Sequence, residues 1–163
     1  MITSSKPTEA QKKIMELGTA YHKIMELIDF SADFFVERER LGAYFTEAIS
    51  EDAIKCAHQA VGELIKSEGF EPYREQSFVY SDEDGKLVQG IIDLMLVNNA
   101  KGEVVLLDYK LTGAERLLKD EYVRQINYYA NAVEDVLGFK AERLILYSFT
   151  GKIMQTVERK RKF

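Results

Sequence analysis

Residues 87–110 read LVQGIIDLMLVNNAKGEVVLLDYK. Two apolar runs, 87–97 and 103–110, flank the polar turn 98–102. Runs of this length, rich in Val, Ile and Leu and bounded by Asn and Gly, predict β-strands joined by a tight connection. Upstream, residues 77–81 alternate, and Asp82-Glu83-Asp84-Gly85 has the chemistry of a turn. The whole then reads as a three-stranded antiparallel meander. Each long run carries an acid, Asp93 in the first and Asp108 at the end of the second, just before Tyr109 and Lys110. Charged groups are costly to bury without a partner or a task.

Outside this meander the periodicity changes. Thr8 and Gln11 form a capping-box pattern. Ile14, Leu17, Tyr21, Ile24, Met25 and Ile28 recur at helical spacing, which predicts a helix to about Asp29. Residues 31–49 read as a mixed helical stretch. Ser50 caps a third helix with Ile54, Ala57, Val61, Leu64 and Ile65 as its apolar stripe and Gly69 as its stop. Residues 119–137 return to helical spacing before Gly138, and strands follow at 143–149 and 153–157. The order predicts an α/β fold with a mixed sheet of four to five strands, flanked by helices and preceded by an N-terminal helical segment.

Composition narrows the class. At 163 residues, 46% apolar and 30% charged, the chain fits one globular domain over 1–163, with a helical part at 8–68 and a sheet-bearing part at 72–158. A net charge of −5 argues against a free-standing, non-specific DNA binder. One cysteine, Cys56, excludes an internal disulfide and a four-cysteine zinc or iron–sulfur site. There is no signal-peptide pattern and no apolar run long enough for a membrane span, so the expected location is the cytoplasm.

The acids suggest a chemistry. Strand alternation puts Asp108 and Lys110 on one face, about 7 Å apart along the strand. If the meander's register sets Asp93 opposite Asp108, two carboxylates converge beside one ammonium. Phosphodiester hydrolysis needs such a group, because hard divalent ions prefer oxygen ligands and activate water. Asp93 and Asp108 would hold the ion, and the Tyr109 carbonyl is a further ligand. Lys110 would position the water or stabilise developing charge. His22 follows Gly18 by one helical turn. It reads either as a core-capping histidine or as an additional ligand that favours Mn²⁺ beside Mg²⁺. Tyr122, Gln125 and Tyr129 share a helix stripe and read either as boundary residues or as groups orienting the lysine or a phosphate. The basic run Arg159-Lys160-Arg161-Lys162 reads first as a solvated terminus.

Four segments in order, Gly18-Thr19-Ala20-Tyr21-His22, Gly90-Ile91-Ile92-Asp93, Asp108-Tyr109-Lys110 and Gln125-Ile126-Asn127-Tyr128-Tyr129, resemble the RecB-like branch of the PD-(D/E)XK nuclease superfamily. The nearest likeness is to the C-terminal nuclease domain of AddA/RexA and RecB helicase–nuclease subunits, of the exodeoxyribonuclease V type. The resemblance implies a restriction-endonuclease-like core and a Mg²⁺- or Mn²⁺-dependent deoxyribonuclease acting in double-strand-break repair and recombination. It implies His22, Asp93, Asp108 and the Tyr109 carbonyl as metal ligands, and Lys110, Gln125 and Tyr129 as catalytic-motif residues beside the two acids. Glu75 matches a supporting family position. The implied substrate is DNA, a single strand delivered by a helicase motor in N-terminal domains or in a partner protein, with no membrane involved. With one cysteine, the iron–sulfur cluster of some relatives is not expected. A stand-alone nuclease of a phage or CRISPR-type system and a non-catalytic docking module are the alternative readings.

Overall fold

Helix α1 (Glu9–Leu27) begins as its sequence specifies. The Thr8 hydroxyl accepts from the Gln11 N–H at 3.1 Å, and the Gln11 side chain accepts from the Thr8 N–H at 2.8 Å. The chain is described here from a computed structural model covering residues 6–82 and 84–162. Of residues 1–6, whose polar sequence predicts a frayed start, 1–5 lie outside the described residues, as does Glu83 of the expected turn. The mixed stretch 31–49 resolves into a short helix, α2 (Phe34–Arg40), capped by Asp33, and a single 3-10 turn, Gly42–Tyr44. Helix α3 (Glu51–Glu68) is capped by Ser50 and ends at Gly69, whose φ of 69° is the left-handed conformation that favours glycine.

Five strands form one sheet in the order β1-β2-β3-β4-β5. They are β1 (Glu71–Ser81), β2 (Leu87–Asn98), β3 (Glu103–Lys110), β4 (Lys140–Ser148) and β5 (Ile153–Val157). The first three make the expected meander, and β4 runs parallel to β3 after the crossover helix α4 (Asp120–Leu137). β1 begins earlier than the alternation at 77–81 indicates. It takes in Pro72, which an edge strand tolerates because the missing N–H need not enter a ladder.

Each face of the sheet has its own core. On one side Leu94, Leu96, Val105 and Leu107 pack with Tyr21, Ile24, Ile54 and Val61 from α1 and α3. On the other, Val104, Leu106, Leu144 and Leu146 pack with Ile126, Ala130 and Val133 from α4. Among the described residues, no helix is long and apolar enough to cross a membrane.

Strict alternation does not hold along β2. Ile92 packs with the α4 core, whereas Leu94 and Leu96 pack with the α1–α3 core. The strand therefore changes face across Asp93. Its neighbour on β1, between the pairs Arg74↔Leu94 and Gln76↔Ile92, is Glu75 with φ of 48°. A left-handed residue turns the edge strand at the level of Asp93. Just beyond, Gly90 makes room for two rings. A Cβ there would lie 2.6 Å from Phe78 Cζ and 2.8 Å from Tyr129 Cε1. Gly90→Ala is therefore expected to destabilise the fold by about 1–3 kcal/mol through overpacking, readable as a lower urea midpoint.

The C-terminal basic run is only partly a solvated tail: Lys160, Arg161 and Lys162 are exposed, whereas Arg159 is drawn inward. The Arg159 side chain is 8% exposed and donates to Glu134 at 2.9 Å, Asn131 at 2.8 Å and the Ala141 carbonyl at 2.8 Å. Arg161 pairs with Glu134 and Glu142. The reason is Asn127, fully buried on α4. It donates to the Glu158 carbonyl at 3.0 Å and accepts from the Lys160 N–H at 2.6 Å, pinning the segment to the helix.

Candidate active site

The paired ladder of β2 and β3 ends at Leu94↔Leu107. One step further the register would set Asp93 opposite Asp108, but there the strands part. The acids take over the backbone donors that the ladder releases. The Asp93 N–H donates to Asp108 Oδ1 at 3.2 Å, and the Tyr109 N–H donates to Asp93 Oδ2 at 2.9 Å. Buried backbone donors need acceptors, so the two carboxylates are fixed by the parting itself.

Helix α1 closes one side of this opening. His22 Nδ1 lies 2.7 Å from the Gly18 carbonyl, while Nε2 lies 3.0 Å from Asp93 Oδ2 and 2.9 Å from the Tyr109 carbonyl. A carbonyl beside Nδ1 requires a proton there. A neutral ring would then turn its Nε2 lone pair toward two oxygens, so this nitrogen needs a cation between it and them: a proton, or a metal ion. Burial alone would lower the His22 pKa. The hydrogen bond and charge of Asp93, with the Gly18 and Tyr109 carbonyls, overcome it and raise the value to about 9. A Cβ at Gly18 would meet nothing within 4 Å, so the helix surface one turn before His22 is open.

Helix α4 closes the other side. As strand alternation requires, Asp108 and Lys110 face it together. Lys110 Nζ lies 4.0 Å from Asp108 Oδ2 and 3.3 Å from Gln125 Oε1. Asp108 is only 3% exposed. Burial, and next the Asp93 charge, push its pKa up to about 7 against the opposing pull of Lys110. Both shifts express one imbalance: buried negative charge exceeds the positive charge placed beside it.

The expected set of residues therefore divides. His22, Asp93 and the Tyr109 carbonyl meet directly, Asp108 joins them through the Asp93 backbone, and Lys110 and Gln125 stand on the Asp108 side. Tyr129 lies in the core on the α4 side of the sheet, near enough to Asp108 that burial, and next the Asp108 charge, raise the tyrosine pKa. It is 7% exposed and packs edge-on against Phe78 with centroids 5.0 Å apart. Burial raises its pKa to about 12, and it hydrogen-bonds the Ile91 backbone. Glu75 faces Glu26 across the cleft, and their shared hydrogen bond raises the Glu75 pKa. This cleft, of about 520 Å³, is lined by His22, Asp93 and Tyr109 and by Glu26 and Glu75.

The donor set fits a hard divalent ion: two carboxylates, a carbonyl and an imidazole whose Nε2, once its proton leaves, faces those oxygens with a lone pair. Among the described residues, no three His, Cys, Asp or Glu side chains stand grouped as a ready-made cage. In this arrangement the oxygens are spent on His22 and on the Asp93 and Tyr109 N–H groups.

No family model matches the chain. Three curated relatives share one name, being AddA-type subunits of an ATP-dependent helicase/nuclease. The protein from Clostridium acetobutylicum is 33% identical over 167 residues, covering 82% of this chain and 13% of that protein. The one from Clostridium beijerinckii is 30% identical, with the same coverage of 82% and 13%. The one from Staphylococcus haemolyticus is 29% identical, covering 80% and 13%. The chain thus spans about 13% of the length of the curated relatives it matches.

Proposed function

The chain belongs to the RecB-like PD-(D/E)XK nucleases, with the AddA subunits of ATP-dependent helicase/nucleases among its relatives, and on that premise we propose that it is a metal-dependent deoxyribonuclease. The observation that carries the reading is the parting of β2 and β3 at Asp93 and Asp108, with His22 on one side and Lys110 on the other. The reading covers residues 1–163 as one nuclease domain. Its context is a helicase–nuclease of the exodeoxyribonuclease V type, acting on a DNA strand delivered by a motor in break repair and recombination.

Asp93, Asp108, the Tyr109 carbonyl and His22 would hold Mg²⁺ or Mn²⁺. Such an ion supplies a hydroxide-like nucleophile near neutral pH and relieves charge on the phosphate. The rest falls to the chain's own groups. The Gly18 carbonyl keeps the proton on Nδ1 of His22, which leaves Nε2 for ligation. Lys110 sits beside the buried Asp108 with three N–H donors, where it meets the negative charge that builds on the phosphate oxygens. Gln125 accepts from Lys110 and orients it. Tyr129 acts at one remove, by packing beneath β2 at Gly90.

A labelled single-stranded oligonucleotide incubated with Mg²⁺ or Mn²⁺ tests the reading. Cleavage that stops on chelation and in Asp108→Ala is expected. Undiminished cleavage by Asp108→Ala would overturn the assignment. A wild-type protein that cuts nothing with either ion would favour a docking role.

A further inference from the structure

Lys110 has a third neighbour besides Asp108 and Gln125. Its Nζ stands 4.5 Å from the centroid of the Tyr122 ring. Tyr122 and Gln125 lie three residues apart on α4, so one helix turn presents both to the same ammonium. An ammonium has three donor directions. Here they meet an amide oxygen at 3.3 Å, a carboxylate at 4.0 Å and an aromatic face. Lys119, just before α4, brings a second ammonium to 5.6 Å from the same ring.

We infer that Tyr122 is a positioning residue for Lys110, its ring face holding the lysine ammonium against Asp108 and Gln125. This rests on the nuclease reading for its consequence, but not for the hold itself. A long, flexible lysine side chain has many rotamers, and a hydrogen bond as long as that to Gln125 leaves it free to swing. The ring closes the remaining side of that swing. Its electron-rich face attracts the cation without accepting a proton. The hydroxyl plays no part in this hold, so phenylalanine should replace tyrosine, and an aliphatic residue should not.

The test compares Tyr122→Phe with Tyr122→Leu in the whole chain, by two readouts. The first is the ¹H–¹³C signal of the Lys110 ε-methylene in lysine-labelled protein, assigned by its loss in Lys110→Arg. The wild-type and Tyr122→Phe signals should be shifted upfield by the ring current, and the Tyr122→Leu signal should move to the position of free lysines. The second is cleavage. Tyr122→Phe should stay within about twofold of wild type, while Tyr122→Leu should lose about fivefold or more in kcat with little change in KM. Tyr122→Gln replaces the leucine variant if the latter does not fold. An unshifted wild-type signal, or a lysine signal unmoved in Tyr122→Leu, overturns the inference, as does full cleavage with a displaced lysine. If the wild type cuts no DNA, the nuclease reading fails separately, and the lysine signal alone decides whether the ring holds the ammonium.

Discussion

Asp108→Asn is expected to fold as the wild type does and to cut DNA about 10³-fold more slowly, since a lost metal ligand removes several kcal/mol of charge stabilisation. Asparagine keeps the volume and the oxygen that accepts from the Asp93 N–H, so the parted strands keep their support. It removes the buried negative charge. That charge has a stability signature in the metal-free protein. Asp108 has a folded pKa of about 7, above its unfolded value, so the folded state binds its proton more readily. Stability from this group therefore rises as pH falls through about 7 toward about 4. His22, raised to about 9, acts in the same direction. Its contribution is complete below about 6.5 and is lost as pH climbs through the folded value. With EDTA present, the wild-type urea midpoint should fall between pH 6 and pH 9. Asp108→Asn should show a shallower fall, and at pH 8 it should be at least as stable as the wild type. A variant much less stable than wild type at that pH would show that the Asp108 carboxylate is structural.

Lys110→Ala separates binding from chemistry. The lysine is not among the ligand groups, and its ammonium is held by Gln125 and the Tyr122 ring at the edge of the site. Cleavage should fall about 10²- to 10³-fold, the range for losing one well-placed donor to developing charge. Binding of Mn²⁺ should persist, because Asp93, the Tyr109 carbonyl and His22 are untouched. Gel-based cleavage and a metal titration on the same preparation measure both. Loss of both together would mean that Lys110 instead holds Asp108 in place.

Much of this site is legible in the sequence, because it is built from local signals. The Thr8–Gln11 box, Ser50, Gly69 and Gly138 set the helix ends where capping chemistry requires. The Asp-x-Lys spacing puts Asp108 and Lys110 on one face of β3 through strand alternation alone, and the structure turns that face to α4. Three features are not legible, and each depends on contacts distant in sequence. The change of face at Asp93 accompanies Glu75 at φ of 48°, and glutamate gives no signal for a left-handed backbone. Tyr129 shares a stripe with Gln125, but the space above Gly90 draws it into the core. Arg159 belongs to a run of four basic residues, yet Asn127 and Glu134 on α4 bury it. The sequence offers one hint of this, Asn127 standing beside the apolar stripe of α4.

Isothermal titration of Mn²⁺ into the metal-free protein, repeated with Asp93→Asn and Asp108→Asn, tests the central claim most directly. One binding event is expected in the wild type, abolished or weakened at least about 10-fold by either substitution. Wild-type protein that binds no Mn²⁺, or variants that bind it as tightly as the wild type, would contradict the claim that the parted strands form a metal site.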